Sequence, residues 1–89
     1  MKIDVELHEP QAVEGMLNVI HTNRPVILIE ILKEEVARKI NSYFKDLSYC
    51  YFNIEEEKGI TEVSEISRSE DYNFLLIPKE RKHEAKTNT

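Results

Sequence analysis

The sequence predicts a small α/β domain whose first three strands are parallel and whose last strand is antiparallel. Two amphipathic helical patterns alternate with three short apolar segments, and this alternation is typical of β-α-β units joined by right-handed crossovers. A fourth apolar segment, residues 72–77, follows the third without an intervening helix. The predicted order is therefore β-α-β-α-β-loop-β.

Length and charge restrict the classes of protein to which the chain can belong. It has 89 residues, 17 acidic against 12 basic side chains, and one Cys, so it holds one modest core and no disulfide framework. The acid excess argues against nucleic acids and anionic membranes as partners. The longest apolar run, residues 26–32, is too short to span a bilayer, and no signal-peptide core follows the first charges. We expect a small, soluble, cytoplasmic protein.

The first strand and the first helix are predicted by their periodicity. Residues 2–6 alternate charged and apolar side chains, as in a half-buried strand. Pro10 is suited to a first helical position, and the apolar side chains that follow recur at helical spacing until Asn23 and Pro25 end the helix. Gly15 interrupts this helix, so we expect a close packing contact there.

The middle of the chain predicts a central strand and a second helix. Residues 25–32 are apolar except for Glu30 and rich in β-branched side chains, which predicts a strand covered on both faces. An amphipathic pattern over residues 33–47 predicts the second helix.

The last part of the chain holds two strand patterns and two polar segments. Residues 49–54 and 72–77 are the strands, and the acid-rich residues 55–71 between them predict either a long surface loop or a ragged hairpin connection. Residues 79–89 carry four basic and two acidic side chains and one Ala. We expect this basic tail to be disordered, because it has almost no apolar surface to bury.

Four segments in this order resemble the C-terminal half of FkbM-type methyltransferases. They are Ile-Asp-Val-Glu-x-His-Glu at residues 3–9, Val-x-Gly-Met at residues 13–16, Arg-Pro-Val-Ile-Leu-Ile-Glu-Ile at residues 24–31, and Asp-Tyr-Asn-Phe-Leu-Leu-Ile-Pro at residues 71–78. The resemblance covers residues 2–78. It implies a partial Rossmann-like methyltransferase sheet whose strands correspond to the family's fourth to seventh, with the last inserted antiparallel between the second and third strands of this chain.

The resemblance also implies a cofactor and a class of reaction. FkbM-type enzymes use S-adenosylmethionine and mostly methylate hydroxyls of sugars and related metabolites. The family's Gly-rich turn and first three strands have no counterpart here, and Leu7 stands where the family usually has Gly. We therefore expect that the chain does not bind S-adenosylmethionine alone, and that Met1 begins a truncated or split frame.

Four side chains are candidate site residues. By resemblance, Asp4 and Glu6 are the catalytic candidates, which would orient an acceptor hydroxyl or take its proton, and His8 would line the acceptor pocket. The structural alternative is that Glu6 complements a helix dipole and that Asp4 is a solvated charge. Glu30 either contacts substrate at the open end of its strand or pairs with Arg24 or Lys33.

Other polar groups do not form a recognisable site in the sequence. His8 and Glu9 begin a zincin-like pattern, but the second His is absent, so we predict no metal site. Cys50 lies between aromatic side chains and is predicted to be a small buried hydrophobe.

Two functions remain open at this stage. The chain is either a fragment or split half of an S-adenosylmethionine-dependent O-methyltransferase, or a non-catalytic remnant or small α/β interaction module. In both, the first strand leaves a sheet edge that favours pairing with a second copy or with a separately encoded N-terminal half.

Overall fold

The computed structural model describes residues 2–3, 10–55, 57–69 and 71–83. Within them the sheet and helices follow the predicted order, with one additional strand. The elements are β1 (Lys2–Ile3), α1 (Pro10–Asn23), β2 (Ile27–Glu30), α2 (Glu34–Phe44), β3 (Tyr49–Glu55), β4 (Gly59–Val63), β5 (Asn73–Pro78) and a 3-10 turn (Lys79–Arg81). Neither described helix has the length and apolar character needed to cross a membrane.

The described strands form one sheet in the order β1-β2-β5-β3-β4. β1 is parallel to β2, and β5 is antiparallel to both of its neighbours, β2 and β3. It follows that β1, β2 and β3 run in the same direction and that the last strand is inserted between the second and third. The predicted α/β class is confirmed, and this strand order agrees with the expected one.

The acid-rich segment 55–71 contains a hairpin, the second of the two alternatives predicted for it. β4 pairs antiparallel with β3, with Glu55 opposite Gly59 at the turn. Gly59 has a φ of 83°, a left-handed conformation that glycine adopts without steric cost. The sequence could not decide between loop and hairpin because β4 is an edge strand in which no side chain is buried.

Both helices pack on the same face of the sheet, which we call the helix face. β2 places Ile27 and Ile29 on this face, while Leu28 on the opposite face is 39% exposed. The expectation that β2 is covered on both faces was therefore wrong, because both connections cross on one side. The core of the helix face consists of Ile20, Ile27, Ile29, Ile31, Ala37, Ile40, Phe44, Tyr49, Ile66, Phe74 and Leu76.

The opposite face, which we call the second face, has its own smaller apolar cluster. Its buried members are Cys50, Phe52 and Ile77, with Val26, Ile60 and Leu75 packed around them. The prediction that Cys50 is a buried hydrophobe is confirmed. The second face is thus apolar at its centre although α1 and α2 lie on the other side.

Gly15 was expected to sit at a close packing contact, and this was wrong. It is exposed on α1, and a Cβ atom built there has no heavy atom outside its own helix turn within 4 Å. The glycine therefore lowers the stability of the helix without any packing gain in the described residues.

Candidate functional site

Glu30 lies at the carboxyl end of β2, as the sequence predicts for a residue at the open edge of the sheet. It is half-buried and stands opposite Asn73 of β5. Just beyond it, the Ile31 amide donates a hydrogen bond of 2.7 Å to the Tyr72 carbonyl, which holds the two strand ends together. Tyr72 and the neighbouring Leu32 are 44% and 51% exposed. This end of the sheet therefore places the Glu30 carboxylate beside exposed apolar and aromatic surface.

The ion-pair alternatives for Glu30 do not hold within the described residues. Arg24 lies at the opposite end of β2, where its guanidinium binds Glu80, so pairing with Arg24 was wrong. Among the residues that the structure describes, neither ion pair found includes Glu30 or Lys33. The carboxylate of Glu30 is therefore available to a ligand at the sheet edge.

The other three candidate residues, Asp4, Glu6 and His8, lie outside the described residues. What the structure gives for this part of the chain is the register of β1, in which Lys2 is opposite Leu28 and Ile3 is opposite Ile29. The roles of Asp4, Glu6 and His8 stay predictions.

A groove of about 440 Å³ lies between the end of α2 and the β3–β4 hairpin. Its outer wall is fixed by Asn41, whose side chain donates to the Ile66 carbonyl at 2.7 Å and accepts from the Ile66 amide at 2.8 Å. Sequence reasoning missed this groove because its walls come from segments up to about 40 residues apart. The lining residues are Asn41, Lys45, Ser48, Tyr49, Cys50, Tyr51, Glu62, Val63, Ser64, Glu65 and Lys79.

The chemistry of this groove is that of a neutral polar surface. Tyr51 is half-buried in it, and burial raises the pKa of its phenol above the ordinary value. The hydroxyl is therefore protonated near neutral pH and serves as a hydrogen-bonding group rather than a base. Two lysines and two glutamates share the lining, so their charges balance and give no preference for an anion or a cation.

Arg24 lies at the end of the sheet opposite to Glu30 and contacts several segments there. Its Nε and Nη2 each donate to a carboxylate oxygen of Glu80 at 2.8 Å, and the same guanidinium donates to the carbonyls of Leu47 and Ser48. The guanidinium also stands over the Tyr49 ring, 4.9 Å from its centre. We call this set the Arg24 cluster. It joins the loops after α1 and α2 to the segment after β5.

The contacts in the Arg24 cluster shift the pKa values of its members. Its charge-assisted hydrogen bonds lower the pKa of Glu80 to about 2, the largest cause being the bond from Arg24. The same bond raises the pKa of Arg24. In Tyr49, burial raises the pKa and the nearby guanidinium opposes that rise, while the phenol donates to the Pro25 carbonyl at 2.7 Å. These contacts stabilise the fold and leave no free reactive group, so the cluster is structural.

Comparison with protein-family models, with curated proteins and with solved structures finds no match to this chain.

Proposed function

We propose that the chain is the C-terminal part of an FkbM-like, S-adenosylmethionine-dependent methyltransferase. The observation that carries the proposal is the strand order β1-β2-β5-β3 with only β5 reversed. The resemblance in the sequence implies this order for the family's last four strands. Short apolar segments can pair in many ways, so agreement in both order and direction supports the proposal.

In this proposal the chain supplies the acceptor side of the site. Ligands of open α/β sheets bind beyond the carboxyl ends of the parallel strands, and Glu30 lies at that end of β2. Glu30 and His8 would hold a hydroxylated acceptor, such as a sugar. Asp4 or Glu6 would accept the hydroxyl proton as the acceptor oxygen takes the methyl group from the sulfonium of S-adenosylmethionine.

The cofactor itself would be bound by another part of the enzyme. With two glycines in the sequence, at positions 15 and 59, no Gly-rich turn is present to approach the cofactor closely. We expect no saturable heat on titration of S-adenosylmethionine into the folded chain alone. A measurable affinity would contradict this division of the site.

A chimera tests the proposal directly. The front half of an FkbM-type methyltransferase, ending before its fourth strand, is joined to Met1 of this chain in place of the enzyme's own last four strands. We expect a folded chimera that binds S-adenosylmethionine by calorimetry. If the chimera is unfolded while the parent enzyme folds under the same conditions, the proposed strand correspondence is refuted.

Substitution of Glu30 tests whether this residue binds the methyl acceptor or only stabilises the fold. In a folded chimera, Glu30→Gln is expected to weaken methyl transfer to the acceptor by at least about tenfold while leaving cofactor affinity unchanged. Glu65→Gln, at an exposed position after β4 and at the end of the sheet away from Glu30, is the matched control and should change neither. Equal activity of the two variants would remove Glu30 from the acceptor site.

The alternative function, a small interaction module, is favoured by a different feature. β1 and β4 end the sheet on its two sides, and neither has a second partner strand among the described residues. An open strand edge pairs readily with another chain. A folded chimera that binds no S-adenosylmethionine, together with self-association of the native chain, would favour this alternative.

A further inference from the structure

We infer that residues 79–83 form an ionic strap across the second face of the sheet, which shields its apolar cluster and opens without unfolding of the domain. We call this segment the C-terminal strap. The inference is independent of the proposed methyltransferase function, because it concerns the end of the sheet away from Glu30. It also departs from the disorder expected for the basic tail: Lys79–Arg81 form a 3-10 turn, and residues 84–89 lie outside the described residues.

The path of the strap follows from the strand order. The strap leaves β5 at Pro78, and its Lys82 forms an ion pair of 3.0 Å with Glu62 on β4. Because β3 lies between β5 and β4 in the sheet, this connection passes over β3. Glu62 is directly opposite Phe52 in the β3–β4 pairing, so the ion pair lies on the second face.

The burial of the second face matches this path. Cys50 and Phe52 on β3 and Ile77 on β5 are 9%, 6% and 1% exposed, although both helices pack on the other face. Leu28 occupies the same face on β2, farther from the strap, and is 39% exposed. The ion pair with Glu62 raises the pKa of Lys82, so Lys82 is charged where it meets this face.

The two ends of the strap are held differently. At one end Glu80 is bound by the half-buried guanidinium of Arg24, and Arg81 donates a hydrogen bond of 3.3 Å to the Arg24 carbonyl. At the other end Lys82 is held by its exposed ion pair with Glu62. Exposed ion pairs contribute little to stability and are screened by salt. The Lys82 end of the strap is therefore expected to open locally at much lower cost than global unfolding, and opening uncovers Cys50 together with Phe52.

The thiol of Cys50, the chain's single cysteine, reports this opening. We expect Lys82→Gln and Glu62→Gln to raise the rate of its reaction with 5,5′-dithiobis(2-nitrobenzoate) by about two- to fivefold, the range for loss of an exposed ion pair. Lys39→Gln, on the solvent side of α2, is the matched control. Raising NaCl from about 0.05 to about 1 M should increase the rate of the thiol reaction in the native protein. The same change should have little effect on the rate in Lys82→Gln, which lacks the ion pair that salt screens.

Urea unfolding in the same buffer separates strap opening from global unfolding. An increased thiol reaction rate with an unchanged unfolding midpoint supports the strap. Equal rates for Lys82→Gln, Glu62→Gln and Lys39→Gln would overturn it. It would also be overturned if each rate simply followed the population of the globally unfolded state.

Discussion

Arg24 combines an unfavourable backbone conformation with a favourable side chain, and the two effects can be measured apart. Its φ is 49°, in the left-handed region, and its backbone amide donates a hydrogen bond of 2.9 Å to the Ile20 carbonyl at the end of α1. Glycine is the usual residue at such a helix end, and other residues are less stable there by about 1 kcal/mol. The contacts of the guanidinium with three other segments offset this strain.

The magnitude follows from the contacts that each substitution removes. Arg24→Ala loses the bonds to the carbonyls of Leu47 and Ser48, the cation–π contact with Tyr49 and the ion pair with the exposed Glu80, and it keeps the left-handed backbone. The first three contacts set the magnitude, because an exposed pair contributes little. At about 1 kcal/mol for each partly exposed hydrogen bond and about 0.5 kcal/mol for the aromatic contact, the loss is about 2 to 3 kcal/mol. Arg24→Gly loses the same contacts but relieves the backbone, so it should be about 1 kcal/mol less destabilising.

Urea unfolding followed by far-ultraviolet circular dichroism measures both values. For a chain of this size the free energy of unfolding falls by about 1 kcal/mol per M of urea. The unfolding midpoint of Arg24→Ala should therefore lie about 2 M below that of the native protein, and the midpoint of Arg24→Gly about 1 M below the native value. Arg38→Ala, an exposed site on α2, should stay within about 0.5 kcal/mol of the native protein. The reasoning is refuted if Arg24→Gly is as unstable as Arg24→Ala, or if neither differs from Arg38→Ala.

Three further predictions follow from the same structure. The pKa of Glu80 is lowered from 4.5 to about 2, so its contribution to stability is complete above pH 4.5 and is lost as the pH falls towards 2. The unfolding midpoint measured at decreasing pH should show this loss in the native protein and not in Arg24→Ala. Gly15→Ala should stabilise the protein by about 0.5 to 1 kcal/mol, whereas Gly59→Ala should destabilise it by about 1 kcal/mol because φ is positive there. Equal shifts of the thermal unfolding midpoint would contradict the helical conformation of Gly15 and the turn conformation of Gly59. Light scattering of the isolated chain should give a mass above 10.5 kDa, because the β1 edge pairs with a second copy. A monomeric mass together with cooperative thermal unfolding would contradict this prediction.

Local patterns in the sequence were sufficient for the elements whose character repeats along the chain. The apolar side chains at helical spacing and the pair Asn23 and Pro25 predicted α1 to its last residue, and the four predicted strands are present among the described residues. Of the four candidate site residues, Glu30 lies at the carboxyl end of its strand, the position that one of its two predicted alternatives requires. Asp4, Glu6 and His8 remain predictions.

What only the tertiary structure decided depends on contacts between distant parts of the chain. Periodicity shows that a segment has an apolar side, but not which neighbour covers it, so the exposure of Leu28 and the pairing of β4 were not evident. Arg24 and Glu80 are 56 residues apart, and no local pattern links them. Their ion pair exists because the ends of α1, α2 and β5 converge at one end of the sheet, and that convergence is a property of the chain's topology rather than of any segment.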